Sequence, residues 1–242
     1  MTTGLTVSLA PLETERFGVA TAKADLESPD DLPGLLSFCG EHRIHFLIVR
    51  CPARAAGTVQ ALEDGGFRLM DTRLTLETDL LHRPLAPRES TIRPLRAGEA
   101  STLESIAREA FAGYPGHFHA DPRLDRKACD EAYVSWALRC RDPAVADEVL
   151  VAPVEGQLAG FAALRLADPS RAELVLGAVL PAFRGRGLYR EMTLAGFEWA
   201  RARGAERFTA VTHLSNLAAQ RSWVRAGMLP VGSSHTFHRW FD

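Results

Sequence analysis

The pattern of apolar and polar positions predicts alternating strands and helices. Apolar residues at every second position, or in short continuous runs, indicate strands, and apolar residues at every third or fourth position indicate helices. The first third of the chain therefore has predicted strands at 5–9, 20–26, 44–51 and 67–76 and predicted helices at 32–42 and 53–65. Ser28, a residue type common at helix starts, precedes the first of these helices.

The rest of the chain continues this alternation. Its predicted strands are at 91–95, 148–153, 158–166, 172–180, 207–212 and 232–240, and its predicted helices are at 99–111, 128–140, 188–203 and 217–226. We expect the last strand to lie at a sheet edge. Residues 79–90 contain Pro84 and Pro87 and predict a linker, so we expect a small N-terminal α/β domain over 1–84 and a larger domain over 90–242.

The 172–180 strand leads into a turn suited to binding an anion. Pro181 ends the strand, and Gly185 and Gly187 follow at alternate positions before the next helix begins. A glycine turn that opens a helix leaves several backbone N–H groups unpaired, and their partial positive charge favours a phosphate or pyrophosphate. The alternative is an ordinary glycine turn between a strand and a helix.

The turn lacks the features of two common nucleotide-binding motifs. No Gly-Lys-Ser/Thr follows it, which excludes a Walker loop, and Arg190 stands where the dinucleotide fingerprint needs its third glycine. Residues 184–189, Arg-Gly-Arg-Gly-Leu-Tyr, instead resemble the Q/R-x-x-G-x-G/A loop of the GNAT superfamily of acyl-CoA N-acyltransferases. The match fails at Tyr189, where that family usually has Gly or Ala.

A second motif downstream resembles the same family. Asn216, Ala219 and Gly227 match the family pattern N-x-x-A-x-x-x-Y-x-x-x-G-F, whereas Trp223 replaces the Tyr and Met228 the Phe. The two motifs occur in the family's order, on the predicted elements that carry them in the family. Together they make the resemblance much more specific than the turn alone.

The resemblance implies an α+β fold with a mixed central sheet, and acetyl-CoA as the co-substrate of an N-acyltransferase. In the family, the loop amides hold the coenzyme A pyrophosphate, the preceding strand end pairs with the pantetheine arm, and the Asn contacts that arm or a bound water. The residues that this implies for cofactor binding are Gly177, Ala178, Val179, Arg184, Gly185, Arg186, Gly187, Leu188, Tyr189 and Asn216.

The layout also resembles one group within the family. Residues 59–69 echo the helix, glycine and strand of residues 217–228 without a phosphate turn before them, which suggests a half-GNAT-like N-terminal domain. Arg16-Phe17-Gly18-Val19 and an aromatic last strand add to a likeness to dTDP-fucosamine acetyltransferases, which acetylate a nucleotide-linked amino sugar. In that group the proposed general acid is the Tyr that Trp223 replaces here, and an indole N–H is no acid near neutral pH.

Attack of an amine on a thioester needs a base, a donor for the carbonyl oxygen and a proton for the leaving thiolate. The candidate catalytic residues are Glu173, His213 and Tyr189. Glu173 on the central strand is a candidate base, with an exposed strand-edge carboxylate as the alternative. His213 follows the next strand and is either a second base or a satisfied loop histidine. Tyr189 either supplies the missing phenol or packs as an aromatic at the helix start.

The loop at 112–126 is rich in Gly, Pro and His and is expected to cover the acceptor. Its Tyr114, His117 and His119 are the candidate substrate contacts. His117, His119 and Asp121 form no complete ligand set, so we expect no metal site.

Composition and charge limit the classes of partner that we expect this protein to bind. The chain has 242 residues, 46% hydrophobic and 24% charged, which is typical of a globular protein. Its net charge of −2 argues against nucleic-acid binding. No apolar run has membrane-spanning length and the start does not resemble a signal peptide, so we expect no membrane partner and a cytoplasmic location. The spacing of Cys39, Cys51, Cys129 and Cys140 predicts reduced, buried thiols.

The leading hypothesis is an N-acetyltransferase that moves an acetyl group from acetyl-CoA to the primary amine of a small molecule, such as a nucleotide-linked amino sugar. A natural-product amine or an amino acid is the alternative acceptor, and a homodimer is one assembly left open. The loss of the Tyr at Trp223 leaves a non-catalytic acyl-CoA-binding protein as a second class. A module that binds another nucleotide phosphate is a third.

Overall fold

The computed structural model describes residues 5–83 and 90–241. Its strands are β1 Leu5–Leu9, β2 Thr21–Leu26, β3 Phe46–Pro52, β4 Arg68–Asp79, β5 Arg93–Pro94, β6 Glu148–Val154, β7 Gln157–Asp168, β8 Arg171–Val179, β9 Arg207–His213 and β10 Leu229–Trp240. Its helices are α1 Pro11–Phe17, α2 Leu32–Glu41, α3 Ala56–Asp64, α4 Ala100–Ala110, α5 His117–Ala120, α6 Arg126–Arg139, α7 Leu188–Ala202 and α8 Leu217–Arg225.

Every strand and helix that the sequence predicts is confirmed, with ends shifted by a few residues. Two short helices, α1 and α5, were not predicted. Each is too short to show a helical period, and α1 buries the charged Glu13 where a periodic pattern would place an apolar residue. The expected linker falls largely on residues 84–89, outside the described residues.

The chain forms two compact units that combine distant segments. The first unit contains the described residues up to Leu74, together with Pro115–Cys129 and the segment from Gly232. The second unit contains the described parts of Thr75–Tyr114 and Asp130–Val231. The predicted division into 1–84 and 90–242 did not anticipate that the first unit takes in the 115–129 loop and the last strand.

The first unit is built on a mixed sheet. β1 pairs antiparallel with β2, β2 pairs parallel with β3, and β3 pairs antiparallel with β10. Its core is made of apolar side chains from these strands, α2 and α3, including Leu35, Leu47, Leu62 and Phe237. β10 has β3 on one side and β4 on the other, so its prediction as an edge strand is wrong.

The second unit has β9, β8, β7, β6 and β5 as consecutive neighbours, antiparallel except for the parallel pair β8 and β9. Leu103, Ile106 and Ala107 of α4 pack with buried residues of β6, β7 and β8. α7 covers the opposite face, because the position of a Cβ on its Gly196 would lie 3.2 Å from Leu164 of β7. Helices on both faces of a mixed sheet confirm the expected α+β class.

All four cysteines are free and buried, as the sequence predicts. Burial raises the pKa of Cys140 to about 12 and those of Cys39 and Cys51 to about 11. Thiols with such pKa values remain protonated near neutral pH and are poor nucleophiles.

Candidate active site

The parallel strands β8 and β9 separate toward their carboxyl ends. They pair from Arg171 with Arg207 as far as Leu174 with Ala210. β8 then continues through Val179 and β9 through His213, beyond the last pair between them. The facing backbone edges in this opening are available to an extended ligand lying between the strands.

A β-bulge marks the point where the opening begins. Leu164 of β7 pairs with Leu174 and Ala163 pairs with Leu176, so Val175 has no partner in the register of these two strands. Cross-strand partners share a face. Leu174 therefore lies with Leu164 on the α7 side, whereas Leu176 packs in the core that contains α4. The bulge reverses the alternation of β8 at the last residue that pairs with β9.

The turn after β8 has the backbone shape expected of an anion site. Pro181–Phe183 forms a 3₁₀ turn, and Gly185 and Gly187 have φ values of 79° and 80°, in the left-handed region that favours glycine. Residues 184–187 are exposed, so no side chain covers the turn. In the part of the chain that the structure describes, the N–H groups of residues 185–188 make none of the turn or cap bonds to backbone carbonyls. These donors lie at the start of α7, where the helix dipole adds to their positive charge.

The two arginines of the turn have different surroundings. The Arg184 guanidinium donates from Nε to the carbonyl oxygen of Val179 at 3.2 Å and from Nη2 to that of Ala110 at 3.2 Å. Its side chain therefore ties the turn to β8 and α4. The Arg186 guanidinium lies over the Phe183 ring and 3.7 Å from Glu155, and it is half-exposed.

Tyr189 places a phenol against the opened part of β8. A Cβ at Gly177 would lie 3.1 Å from Tyr189 Cε2 and 3.3 Å from its hydroxyl, so the ring covers this glycine directly. Burial, and secondarily the nearby phenol of Tyr114, raises the pKa of Tyr189 well above its usual range. The hydroxyl therefore keeps its proton near neutral pH. The Trp223 ring lies 6.0 Å from the Tyr189 ring and is 1% exposed.

Asn216 and Tyr114 meet at the carboxyl end of β9. Asn216 Nδ2 donates to the Tyr114 hydroxyl at 3.2 Å and to Thr212 Oγ1 at 2.9 Å, and Asn216 Oδ1 accepts from Ala219 N at 3.2 Å as the cap of α8. The His213 ring packs edge-on against Tyr114 with centroids 5.3 Å apart. Predicted substrate, cofactor and catalytic candidates thus share one cluster beside the opening.

Glu173 lies at the other end of the opening. It pairs with Thr209 in the closed part of β8 and β9, one residue before the last pair. Its carboxylate forms an ion pair with Arg165, its direct neighbour on β7, at 2.6 Å. Glu173 and His213 are therefore at opposite ends of the separated strands, although the sequence treats them as alternatives for one position.

The candidates His117 and His119 belong to the first unit, on the short helix α5. His117 is buried, and its Nδ1 lies 2.8 Å from Nε2 of His238. His238 Nδ1 lies 2.8 Å from a carboxylate oxygen of Asp121, which is 2% exposed. Burial, only partly opposed by Asp121, lowers the pKa of His238, so this ring is neutral and donates its Nδ1 proton to the carboxylate.

Sequence reasoning missed this chain of three side chains. Asp121 and His238 are separated by 117 positions, and neither belongs to a motif. The available signal is a pair of polar residues, Thr236 and His238, which are buried on a strand that the sequence predicts at a sheet edge.

Within residues 5–83 and 90–241, no three His, Cys, Asp or Glu side chains are grouped as a metal site would need. None of the helices in those ranges combines the length and apolar character required to cross a membrane.

Comparison with known families gives one match over the second half of the chain. The model of the acetyltransferase (GNAT) family matches residues 104–228, which include β8, the glycine turn, α7 and Asn216.

Individual relatives are distant. The chain is 24% identical over 196 residues to the spore coat polysaccharide biosynthesis protein SpsD of Bacillus subtilis, and the match covers 81% of this chain but only 66% of that protein. A GCN5-related N-acetyltransferase from Sphaerobacter thermophilus superposes with a TM-score of 0.65 at 16% identity, over 98% of this chain and 76% of that one. The glucosamine N-acetyltransferase region of a fungal multi-domain beta-N-acetylglucosaminidase superposes with a TM-score of 0.63 at 12% identity, over 97% and 31%.

Proposed function

The chain belongs to the GNAT family of acyl-CoA-dependent N-acyltransferases, and we propose that it transfers an acetyl group from acetyl-CoA to the primary amine of a small molecule. The observation that carries this proposal is the opening between β8 and β9 directly before an exposed glycine turn. An extended thioester carrier with a diphosphate needs both features in this order.

The backbone supplies the binding groups for acetyl-CoA. The N–H groups at the start of α7 face the diphosphate, and the free edge of β8 from Gly177 to Val179 pairs with the amide groups of the pantetheine arm, as an added strand would. Asn216 follows β9 on the other side of the same opening, and we expect its amide, which donates to Tyr114 and Thr212, to contact the arm. Arg184 holds the turn in shape through its bonds to Val179 and Ala110.

Tyr189 is the proton donor in this proposal. The amine nitrogen forms the new C–N bond, the C–S bond breaks, and the sulfur takes the phenolic proton of Tyr189. The raised pKa keeps the phenol protonated before the reaction, and the phenolate that the transfer leaves regains a proton from solvent in each cycle. Tyr189 thereby supplies the hydroxyl that Trp223 lacks, from the start of α7 instead of from α8.

Glu173 is the base in this proposal. It accepts the proton that the amine loses, through a water, and releases it to solvent. Its position near the β-bulge places it at the inner end of the opening, where the acyl group of a bound thioester would lie, and Arg165 fixes the carboxylate. His213 is the alternative base at the outer end, where it packs against Tyr114.

For the acceptor we propose a nucleotide-linked amino sugar, with a natural-product amine or an amino acid as the alternative. The spore coat polysaccharide relative is compatible with a sugar substrate but matches at only 24% identity. The overall likeness to a glucosamine N-acetyltransferase region supports the fold and leaves the acceptor open.

Calorimetry with acetyl-CoA, followed by a thiol-release screen of amines, tests the proposal. We expect binding and turnover on at least one amine, with Tyr189→Phe lowering kcat about 100-fold while acetyl-CoA affinity is kept. The variants Glu173→Gln and His213→Gln distinguish the two candidate bases. Only the variant that lacks the true base should lose the acid limb of the pH–rate profile. An absence of binding near 1 mM acetyl-CoA would refute the proposal, and binding without turnover on any amine would favour a non-catalytic acyl-CoA-binding protein.

A further inference from the structure

Acetyl transfer needs a hydrogen-bond donor for the carbonyl oxygen of the thioester, because attack by the amine moves an electron pair onto that oxygen. Tyr189 and Glu173 are assigned to the two proton transfers, so neither of them fills this role. We propose, on the premise of the acetyl transfer above, that the hydroxyl of Tyr114 is this donor and that Asn216 sets its direction. Tyr114, which the sequence predicts as a substrate contact, then serves the acyl group.

The direction of the Asn216 side-chain amide is fixed by a backbone group. Its Oδ1 faces the backbone N–H of Ala219 at 3.2 Å, and a backbone N–H can only donate. Nδ2 is therefore the end that faces Thr212 Oγ1 at 2.9 Å and the Tyr114 hydroxyl at 3.2 Å. Both Nδ2 hydrogens are used in this way, so the Tyr114 oxygen is the acceptor in its contact with Asn216.

This contact leaves the phenolic hydrogen of Tyr114 for a different partner. Across residues 5–83 and 90–241, the Tyr114 hydroxyl accepts from Asn216 and donates to no other group. Its side chain is half-buried, so it is reached by a ligand and is also partly shielded from water. A partly buried donor gains from a ligand oxygen that replaces the lost water.

The two phenols of the site flank the opening between β8 and β9. Tyr114 follows α4 and packs against the core cluster on the α4 face, and its hydroxyl bonds to Asn216 at the end of β9. Tyr189 covers Gly177 of β8 from α7 on the opposite face. Burial and then the nearby Tyr114 phenol raise the pKa of Tyr189, as expected for neighbouring hydroxyls. The thioester sulfur and carbonyl oxygen share one carbon, so their two donors have to be neighbours.

Three rings hold the Tyr114 ring in place. They are Phe111, Tyr133 and His213, whose centroids lie 5.5, 5.0 and 5.3 Å from its own. A donor fixed in this way needs no reorganisation when negative charge develops on the carbonyl oxygen. The amine nitrogen forms the C–N bond as the carbonyl electron pair moves to oxygen, and the pair returns when the C–S bond breaks. Tyr114 keeps its proton throughout.

The first test measures the carbonyl directly, on the full chain with acetyl-CoA isotopically labelled at the thioester carbonyl carbon and with no amine. Infrared difference spectra give the stretch of the bound carbonyl, which moves to lower wavenumber when its oxygen accepts a hydrogen bond. We expect this shift in the wild type and its loss in Tyr114→Phe, with the Kd for acetyl-CoA changed by less than about tenfold. Tyr133→Phe removes a phenol from the same ring cluster and should keep the shift.

The variant Asn216→Asp tests the positioning role. Its carboxylate keeps the cap of α8 through the backbone N–H of Ala219, but it presents an acceptor to Tyr114 and draws the phenolic hydrogen away from the ligand. We expect the carbonyl shift to be lost in this variant too. With an amine from the thiol-release screen, kcat should fall about 100-fold in Tyr114→Phe and in Asn216→Asp, and no further in the double variant.

A carbonyl stretch that is the same in the wild type and Tyr114→Phe would overturn the role of Tyr114. A wild-type stretch in Asn216→Asp would overturn the role of Asn216. The thermal unfolding midpoint of each variant shows whether it is folded. An absence of acetyl-CoA binding in calorimetry would refute the acetyl transfer and these roles together, whereas bound acetyl-CoA with an unchanged stretch would refute these roles alone.

Discussion

Replacing Asp121 by Asn should destabilise the first unit strongly. The side chain is 2% exposed, and its two oxygens accept from His238, Trp240 and the backbone of Arg123. Burial alone would raise the pKa of Asp121, but the bonds from His238 and Trp240 outweigh burial and lower the pKa to about 2. A decrease from the ordinary 3.8 to about 2 corresponds to ~2 kcal/mol of stability from ionisation.

Asparagine removes that charge and also leaves a donor facing a donor. If its oxygen keeps the bonds to His238 and Trp240, its NH₂ group faces the N–H of Arg123, and a buried unpaired donor costs roughly a further 1–3 kcal/mol. We therefore expect a loss of about 3–5 kcal/mol, or roughly 6–20 °C in the unfolding midpoint.

Urea unfolding followed by circular dichroism at pH 7 measures this loss. Asp142→Asn is the matched control, because Asp142 is exposed and makes one local bond to the N–H of Ala144. Its change should stay below about 0.5 kcal/mol. Since the folded-state pKa of Asp121 is depressed, its contribution is complete above pH 3.8 and is lost as the pH falls through about 2. Wild type and Asp121→Asn should therefore converge at low pH, and equal stability of the two at pH 7 would refute the reasoning.

Three further outcomes follow from the second unit. Gly187→Ala should weaken acetyl-CoA binding about tenfold, since alanine at a φ of 80° costs about 1–2 kcal/mol in the turn. The control Gly204→Ala, at a φ of 86° beyond the other end of α7, should lower stability without affecting acetyl-CoA affinity. Equal acetyl-CoA affinities of the two variants in calorimetry would contradict this. Asn216→Ala should lower stability by about 1 kcal/mol through loss of the α8 cap, and an unchanged urea midpoint would show that the cap is unimportant. Because the pKa of Tyr189 is raised, kcat of the wild type should show no loss of the acid up to about pH 9, and a fall in kcat below that pH that disappears in Tyr189→Phe would contradict a buried phenol.

Most of the fold was predictable because local signals agreed with tertiary structure. Asn216 caps α8, and Gly204 follows α7 with a positive φ, as their positions in the sequence indicate. The central strand β8 was recognisable from its apolar run and Pro181. In each case the decisive interactions involve residues within a few positions of one another.

The incorrect prediction of β10 as an edge strand has the opposite cause, because the interactions that decide its position are distant in the sequence. β10 carries Thr236 and His238 where a buried strand usually has apolar residues, and the partner that makes His238 acceptable there, Asp121, is remote in sequence. The loop around α5, for which the sequence predicts substrate contacts, also has a long-range partner, because its His117 is hydrogen-bonded to His238. Long-range hydrogen bonds of this kind produce no periodic pattern in the sequence, so only the structure reveals them.

The candidate site was predictable in part. The sequence identified the glycine turn, but only the structure places Tyr189 over Gly177 and separates Glu173 from His213. That geometry depends on how far β8 and β9 remain paired, which the apolar pattern of either strand does not reveal.

The unpaired Val175 also constrains how this sequence can change. Because Leu174 and Leu176 pair with the adjacent residues Leu164 and Ala163, deleting Val175 would make them adjacent as well and would leave every residue of β8 on its present face. Straightening the strand through Val175 without a deletion would instead turn Leu176 and the residues after it to the opposite faces. Evolution can therefore remove the bulge and its extra residue together, but it cannot straighten the strand while keeping its length.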